Sequence, residues 1–146
     1  MKAFPKFKYI FIPVYLVCIS IPSCREDIYD PNNNNNNINE PMVLSYSNSF
    51  SFLLNANNIT YYVVNQTQLS EPTTSINISV EDYQSGYVEV FVTDEQLNSL
   101  YSIKIDSNKT NISALVRNYI PERVAIHFHQ FTGNLNIQLS SIFYYY

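Results

Sequence analysis

His127 and His129 are the two histidines of the chain. Their i, i+2 spacing in an alternating segment puts both imidazoles on one face of a strand, a geometry that chelates a metal ion when a third ligand joins. Arg123 and Ala125 share that face, while Val124, Ile126 and Phe128 form the apolar face opposite. Without a third ligand and its supporting contacts, the pair reads as two solvated histidines on the wet side of a strand. One sequence shows neither, so no metal is assigned and His127 and His129 stand as candidates.

The acidic pairs Glu81-Asp82 and Asp94-Glu95 each fall between expected strands. They read as solvated turns, with a low-affinity calcium site as the sharper alternative. No GxSxG elbow occurs and the remaining carboxylates are dispersed, so no catalytic residue is assigned and the chain is expected not to be an enzyme. Two glycines, Gly86 and Gly133, cannot form a glycine-rich phosphate loop, and Cys18 with Cys24 makes neither a zinc site nor a disulfide framework. No cofactor is expected. The 146 residues carry eight basic and twelve acidic side chains. Lys2, Lys6 and Lys8 lie in the leading segment, so the rest is strongly acidic. That balance excludes a nucleic-acid footprint.

These side chains need elements to position them, and the chain divides into three parts. Met1 to Lys8 is short and basic, and Tyr9 to Pro22 is mostly apolar before Ser23 and Cys24. This is the layout of a secretory signal, too short and too interrupted by Pro13 to span a bilayer permanently. Ile21-Pro22-Ser23-Cys24 resembles the lipobox of bacterial lipoproteins, with Pro22 in place of the usual small residue. The resemblance implies a diacylglyceryl group on the Cys24 sulfur and cleavage that makes Cys24 the first mature residue. Arg25, Glu26 and Asp27 are similar to the export signal of Bacteroidetes lipoproteins, which implies an outer-membrane protein displayed at the cell surface.

Residues 24–41 form the second part. Asn32 to Asn37 are six consecutive asparagines flanked by Pro31 and Pro41. Such a segment buries too little apolar surface to offset chain entropy and is expected to be a flexible tether.

Residues 42–146 form the third part, and their hydropathy has period two almost throughout. Ile76, Ile78 and Val80 alternate with polar neighbours, as do Val88, Val90 and Val92, then Tyr101, Ile103 and Ile105, then Leu135, Ile137 and Leu139. With Ser49 to Leu54, Ile59 to Val63, Ile112 to Val116 and Arg123 to Phe131, the spacing predicts about eight short strands. The expected fold is all-β, a single antiparallel β-sandwich. Thr132-Gly133-Asn134 is read as a hairpin between the last two strands, and Asp94 to Asn98 as another hairpin loop. The segment Gly86 to Ser140 resembles the C-terminal half of many secreted bacterial β-sandwiches, through Gly86-x-Val88-x-Val90-x-Val92 and Phe131-Thr132-Gly133 followed by Ile137 and Leu139. A membrane barrel needs strands of about 9–11 residues, longer than several of these segments.

Thirteen tyrosines and nine phenylalanines accompany no tryptophan. Tyr61, Tyr87 and Tyr101 are candidates for the core. Tyr62, Phe91 and the terminal tyrosines are candidates for an aromatic strip that contacts protein or glycan. Sequons begin at Asn58, Asn65, Asn77, Asn108 and Asn111, and a secreted eukaryotic glycoprotein would use them. The leading expectation is a lipid-anchored cell-envelope protein whose non-catalytic sandwich serves binding or surface assembly. Its expected partners are the membrane, through the lipid on Cys24, and an envelope protein or glycan. The alternative is a metal-binding or enzyme-accessory module using His127 and His129.

Overall fold

A computed structural model describes residues 38–143. The signal segment, Cys24, Arg25, Glu26, Asp27, the asparagine run and Tyr144 to Tyr146 lie outside the described residues. The strands are β1 (Met42–Tyr46), β2 (Ser49–Gln66), β3 (Thr73–Thr93), β4 (Ser99–Ile105), β5 (Lys109–Arg117) and β6 (Arg123–Ser141). All pairings between these strands are antiparallel, in the order β1-β2-β6-β3-β4, with β5 pairing the first half of β3. The protein is all-β, as its period-two hydropathy requires.

The strand count differs from the expected eight, for a physical reason. Ser49 to Leu54 and Ile59 to Val63 are one strand of 18 residues, β2. The segments around Ile78 and Val90 are one strand of 21 residues, β3. The two segments flanking Thr132-Gly133-Asn134 are one strand of 19 residues, β6, so no hairpin forms there. Each break in the alternation is a bulge inside a continuous strand. Asn58 (φ 50), Asp82 (φ 50), Gly86 (φ 75) and Gln130 (φ 48) take left-handed backbone at those points. In β6 the buried set passes from Val124, Ile126 and Phe128 to Phe131, Leu135 and Ile137, a change of parity across Gln130. A bulge inserts one extra residue and bends the strand. β1 (MVLSY) lies outside the segments whose alternation predicts strands.

The bends fold the sheet onto itself. Phe52 on β2 lies opposite Ile137 of β6, while Phe128 is nine residues earlier on β6, a run of roughly 30 Å in a straight strand. Yet the Phe52 and Phe128 ring centroids are 6.4 Å apart. The two halves of β2, β3 and β6 therefore face each other as two layers of a small sandwich. One layer has five strands: β1, the first halves of β2 and β3, the second half of β6, and β5. The other has four: the second halves of β2 and β3, the first half of β6, and β4.

Between the layers, Phe50, Phe52, Ile78, Val90, Phe128 and Ile137 belong to one buried apolar cluster. Strands this long remove the length argument against a membrane barrel. The polarity is nonetheless the reverse of a lipid-facing barrel. The interior is apolar, and Ser51, Gln138, Asn77 and Ser113 make one polar row on the outside of the five-stranded layer.

Side chains hold the crease where the ladder is interrupted. The Asn58 backbone N–H donates to Thr132 Oγ1 at 2.8 Å, and the Gln130 N–H donates to Thr60 Oγ1 at 3.1 Å. Asn134 Nδ2 donates to Asp82 Oδ2 at 2.7 Å. The first two bonds give backbone N–H groups side-chain partners where the ladder is interrupted, and the third ties β3 to β6 through side chains alone. At Gly86 a Cβ would overlap the carbonyl oxygens of His129 and Gln130, so backbone passes against backbone there.

Candidate functional site

The outer face of the four-stranded layer carries the chemistry. Register places Tyr62 opposite His127, His127 opposite Glu89, and Glu89 opposite Lys104, one row across all four strands. His129 lies opposite Tyr87. The next row is Val64, Ala125, Phe91 and Ser102. Alternation turns these side chains outward because Val124, Ile126, Phe128, Val88 and Val90 fill the inner face and are fully buried.

His127 and His129 do share a face, with Arg123 and Ala125, as their spacing predicts. The fold brings Glu89 to them from β3. His127 Nδ1 and His129 Nε2 are 3.0 Å apart. Glu89 Oε2 lies 3.7 Å from His127 Nδ1 and 3.5 Å from His129 Nε2. All three side chains are partly exposed.

Aromatic contacts brace both imidazoles. Tyr87 stacks on His129 with centroids 4.2 Å apart and planes inclined by 21°. Tyr62 meets His127 edge-on at 5.7 Å and 85°. Lys104 Nζ sits 3.6 Å from the Tyr87 ring centroid, a cation–π contact, although Glu89 is directly opposite it in register. Glu89 is thereby left to the histidines.

The sequence contains no local signal joining Glu89 to the histidines, which lie 38 and 40 positions later in the chain. Its place between Val88 and Val90 does show that it points outward. Which strand lies beside it depends on topology.

The acidic pairs have structural duties. Asp94 is buried at the β3–β4 turn, where Oδ1 accepts from the Asn98 backbone N–H and Oδ2 from Asn98 Nδ2, both at 2.8 Å. The Asn98 side chain holds the Asp94 carboxyl below its ordinary value, and the backbone N–H groups of Asn98 and Gln96 and the charge of Arg123 add to the effect against desolvation. The turn agrees with the expected hairpin loop. Both Asp94 oxygens are engaged by Asn98 and one Asp82 oxygen by Asn134, so neither pair presents a ready calcium cage.

Of the tyrosines read as core candidates, Tyr101 packs against the core, and burial raises the pKa of its phenol. Tyr61 is half exposed and Tyr87 stands on the outer face, which corrects both expectations. Tyr62 (58 % exposed), Val64 (45 %) and Phe91 (37 %) make an outward apolar strip beside the histidines.

No family model matches the chain, and no curated protein matches it by sequence. Among solved structures, it is similar to the subject of "Bacillus endospore appendages form a novel family of disulfide-linked pili", at 10% identity and TM-score 0.41, covering 68% of this chain and 88% of that one. The chain described as "CBM4 structure and function" is similar at 10% identity and TM-score 0.36, covering 71% and 87%. TmCBM61, solved in complex with β-1,4-galactotriose, is similar at 13% identity and TM-score 0.34, covering 68% of each chain.

Proposed function

We propose that this chain is a non-catalytic binding module of the bacterial cell envelope, lipid-anchored through Cys24 to the outer membrane, displayed outward, and taking an envelope glycan on its four-stranded face. The observation that carries the binding reading is the exposed strip of Tyr62, Val64, Ala125 and Phe91 alongside the polar row of His127, Glu89 and Lys104. A sugar ring presents apolar C–H faces and hydroxyl edges, which suit an aromatic strip flanked by donors and acceptors. The outer face of the other layer is rich in Ser, Asn and Gln, and its central strands show no aromatic side chain. The anchor and address rest on the resemblance of residues 21–27 to lipoprotein processing and export signals.

The test is a glycan array probed with the mature chain and with a Tyr62→Ala, Phe91→Ala double variant. Binding by the wild type, weakened at least about tenfold in the variant with unchanged thermal unfolding, is the expected result. Equal binding by both proteins, or none by the wild type, would end the glycan reading.

A further inference from the structure

We propose that Glu89, His127 and His129 form a binding site for a divalent transition-metal ion, zinc above all, with its fourth coordination position open to solvent. Nothing in this proposal depends on the glycan reading. The argument is geometric. Tetrahedral zinc holds imidazole nitrogen at about 2.0–2.1 Å and carboxylate oxygen at about 2.0–2.2 Å, so neighbouring ligand atoms stand about 3.3–3.4 Å apart. The three atoms form a triangle with sides of 3.0, 3.5 and 3.7 Å. The centre of the circle through those three atoms is about 2.0 Å from each, so an ion held by bonds of about 2.1 Å sits just outside their plane, with a fourth position free on that side. An ion there would lie within bonding distance of all three atoms.

The chemistry of the donors agrees. Two imidazoles and a carboxylate are the borderline set that takes zinc and its neighbours in preference to calcium, which wants six or more oxygens. The supporting contacts are also present. Tyr87 stacked on His129 and Tyr62 edge-on to His127 fix the two ring planes. The Lys104 ammonium rests on Tyr87 and so does not compete for Glu89. Three protein ligands on strands and one vacant position describe an open site, to which a water or an oxygen of a bound partner adds the fourth bond.

The opposing explanation is that the two imidazoles share a hydrogen bond across 3.0 Å, one donating and the other accepting. Titration calorimetry with zinc chloride separates the two. It would use the mature chain carrying Cys24→Ala, so that no thiol contributes, together with its Glu89→Gln, His127→Ala and His129→Ala derivatives. The expected result is one zinc per chain, weakened at least about tenfold by each of the three substitutions. Tyr62→Phe should change zinc affinity little, because the aromatic edge remains. Cobalt, bound in place of zinc, should give the intense visible absorption of a four-coordinate ion in the parent chain and lose it in each ligand variant. Circular dichroism of the metal-free variants should match the parent, since all three side chains face outward. A parent chain that takes up no zinc, or zinc binding that persists unchanged in Glu89→Gln, would overturn the three-ligand site. Failure of the glycan array leaves this measurement unaffected.

Discussion

A few residues set the local geometry on which the rest depends. Gly86 lets β3 cross the carbonyls of His129 and Gln130, and so places Tyr87 and Glu89 beside the histidines. Asp94 plays a comparable part at the β3–β4 turn, where Asn98 donates to both of its carboxylate oxygens. Because its carboxyl titrates below its ordinary value in the folded chain, its contribution to stability is fully present above the ordinary carboxylate range. It is lost as pH falls through the folded value, when the protonated group can no longer accept these charge-assisted bonds. Asp94→Ala should therefore lower the urea midpoint at pH 7, and its gap from wild type should narrow at pH 3. Denaturation curves for both proteins at the two pH values check this, and a gap that stays constant would assign the effect to side-chain packing.

Folding at the scale of the strand turns on where alternation slips. Hydropathy of period two made each half-strand legible, and with it the all-β class. It did not show that the breaks at Asn58, Asp82 to Gly86 and Gln130 to Gly133 are bulges, because asparagine, aspartate and glycine serve turns and left-handed bulges alike. A turn reverses the chain, whereas a bulge lets the strand continue and bend, and nothing local in the sequence distinguishes them. The site was legible to the same degree. His127 and His129 were visible as a pair on one strand, while Glu89 required knowing that β3 lies beside β6. The bend also identifies the residues that bear the contact between layers. Phe128 is fully buried, 6.4 Å from Phe52 and 5.8 Å from Phe131. Phe128→Ala should cost about 3–5 kcal/mol in chemical denaturation, whereas the outward Tyr62→Ala should cost about 0.5 kcal/mol or less. Similar losses from both substitutions would contradict a core shared between the two layers.

For the whole molecule, the question is what would keep an acidic sandwich at a membrane. Beyond the leading lysines the chain carries five basic against twelve acidic residues, so anionic headgroups repel it on balance. Under the proposed anchoring, a lipid on Cys24 would have to supply essentially all the attachment, and one myristoyl-length chain gives only marginal, reversible binding. The diacylglyceryl group that the resemblance of Ile21-Pro22-Ser23-Cys24 implies would supply two chains, enough without help from charge. Two results together separate this attachment from an electrostatic one, which salt would release, and from a barrel, which would not depend on Cys24. Washing native membranes with 1 M salt should leave the protein bound, and Cys24→Ala should move it to the soluble fraction with its thermal unfolding unchanged. Intact-mass analysis of the mature N-terminal peptide completes the test: wild type should carry the added lipid mass on Cys24. An unmodified peptide, or release by salt, would remove the anchor from this picture and leave a secreted sandwich that finds its partner by diffusion.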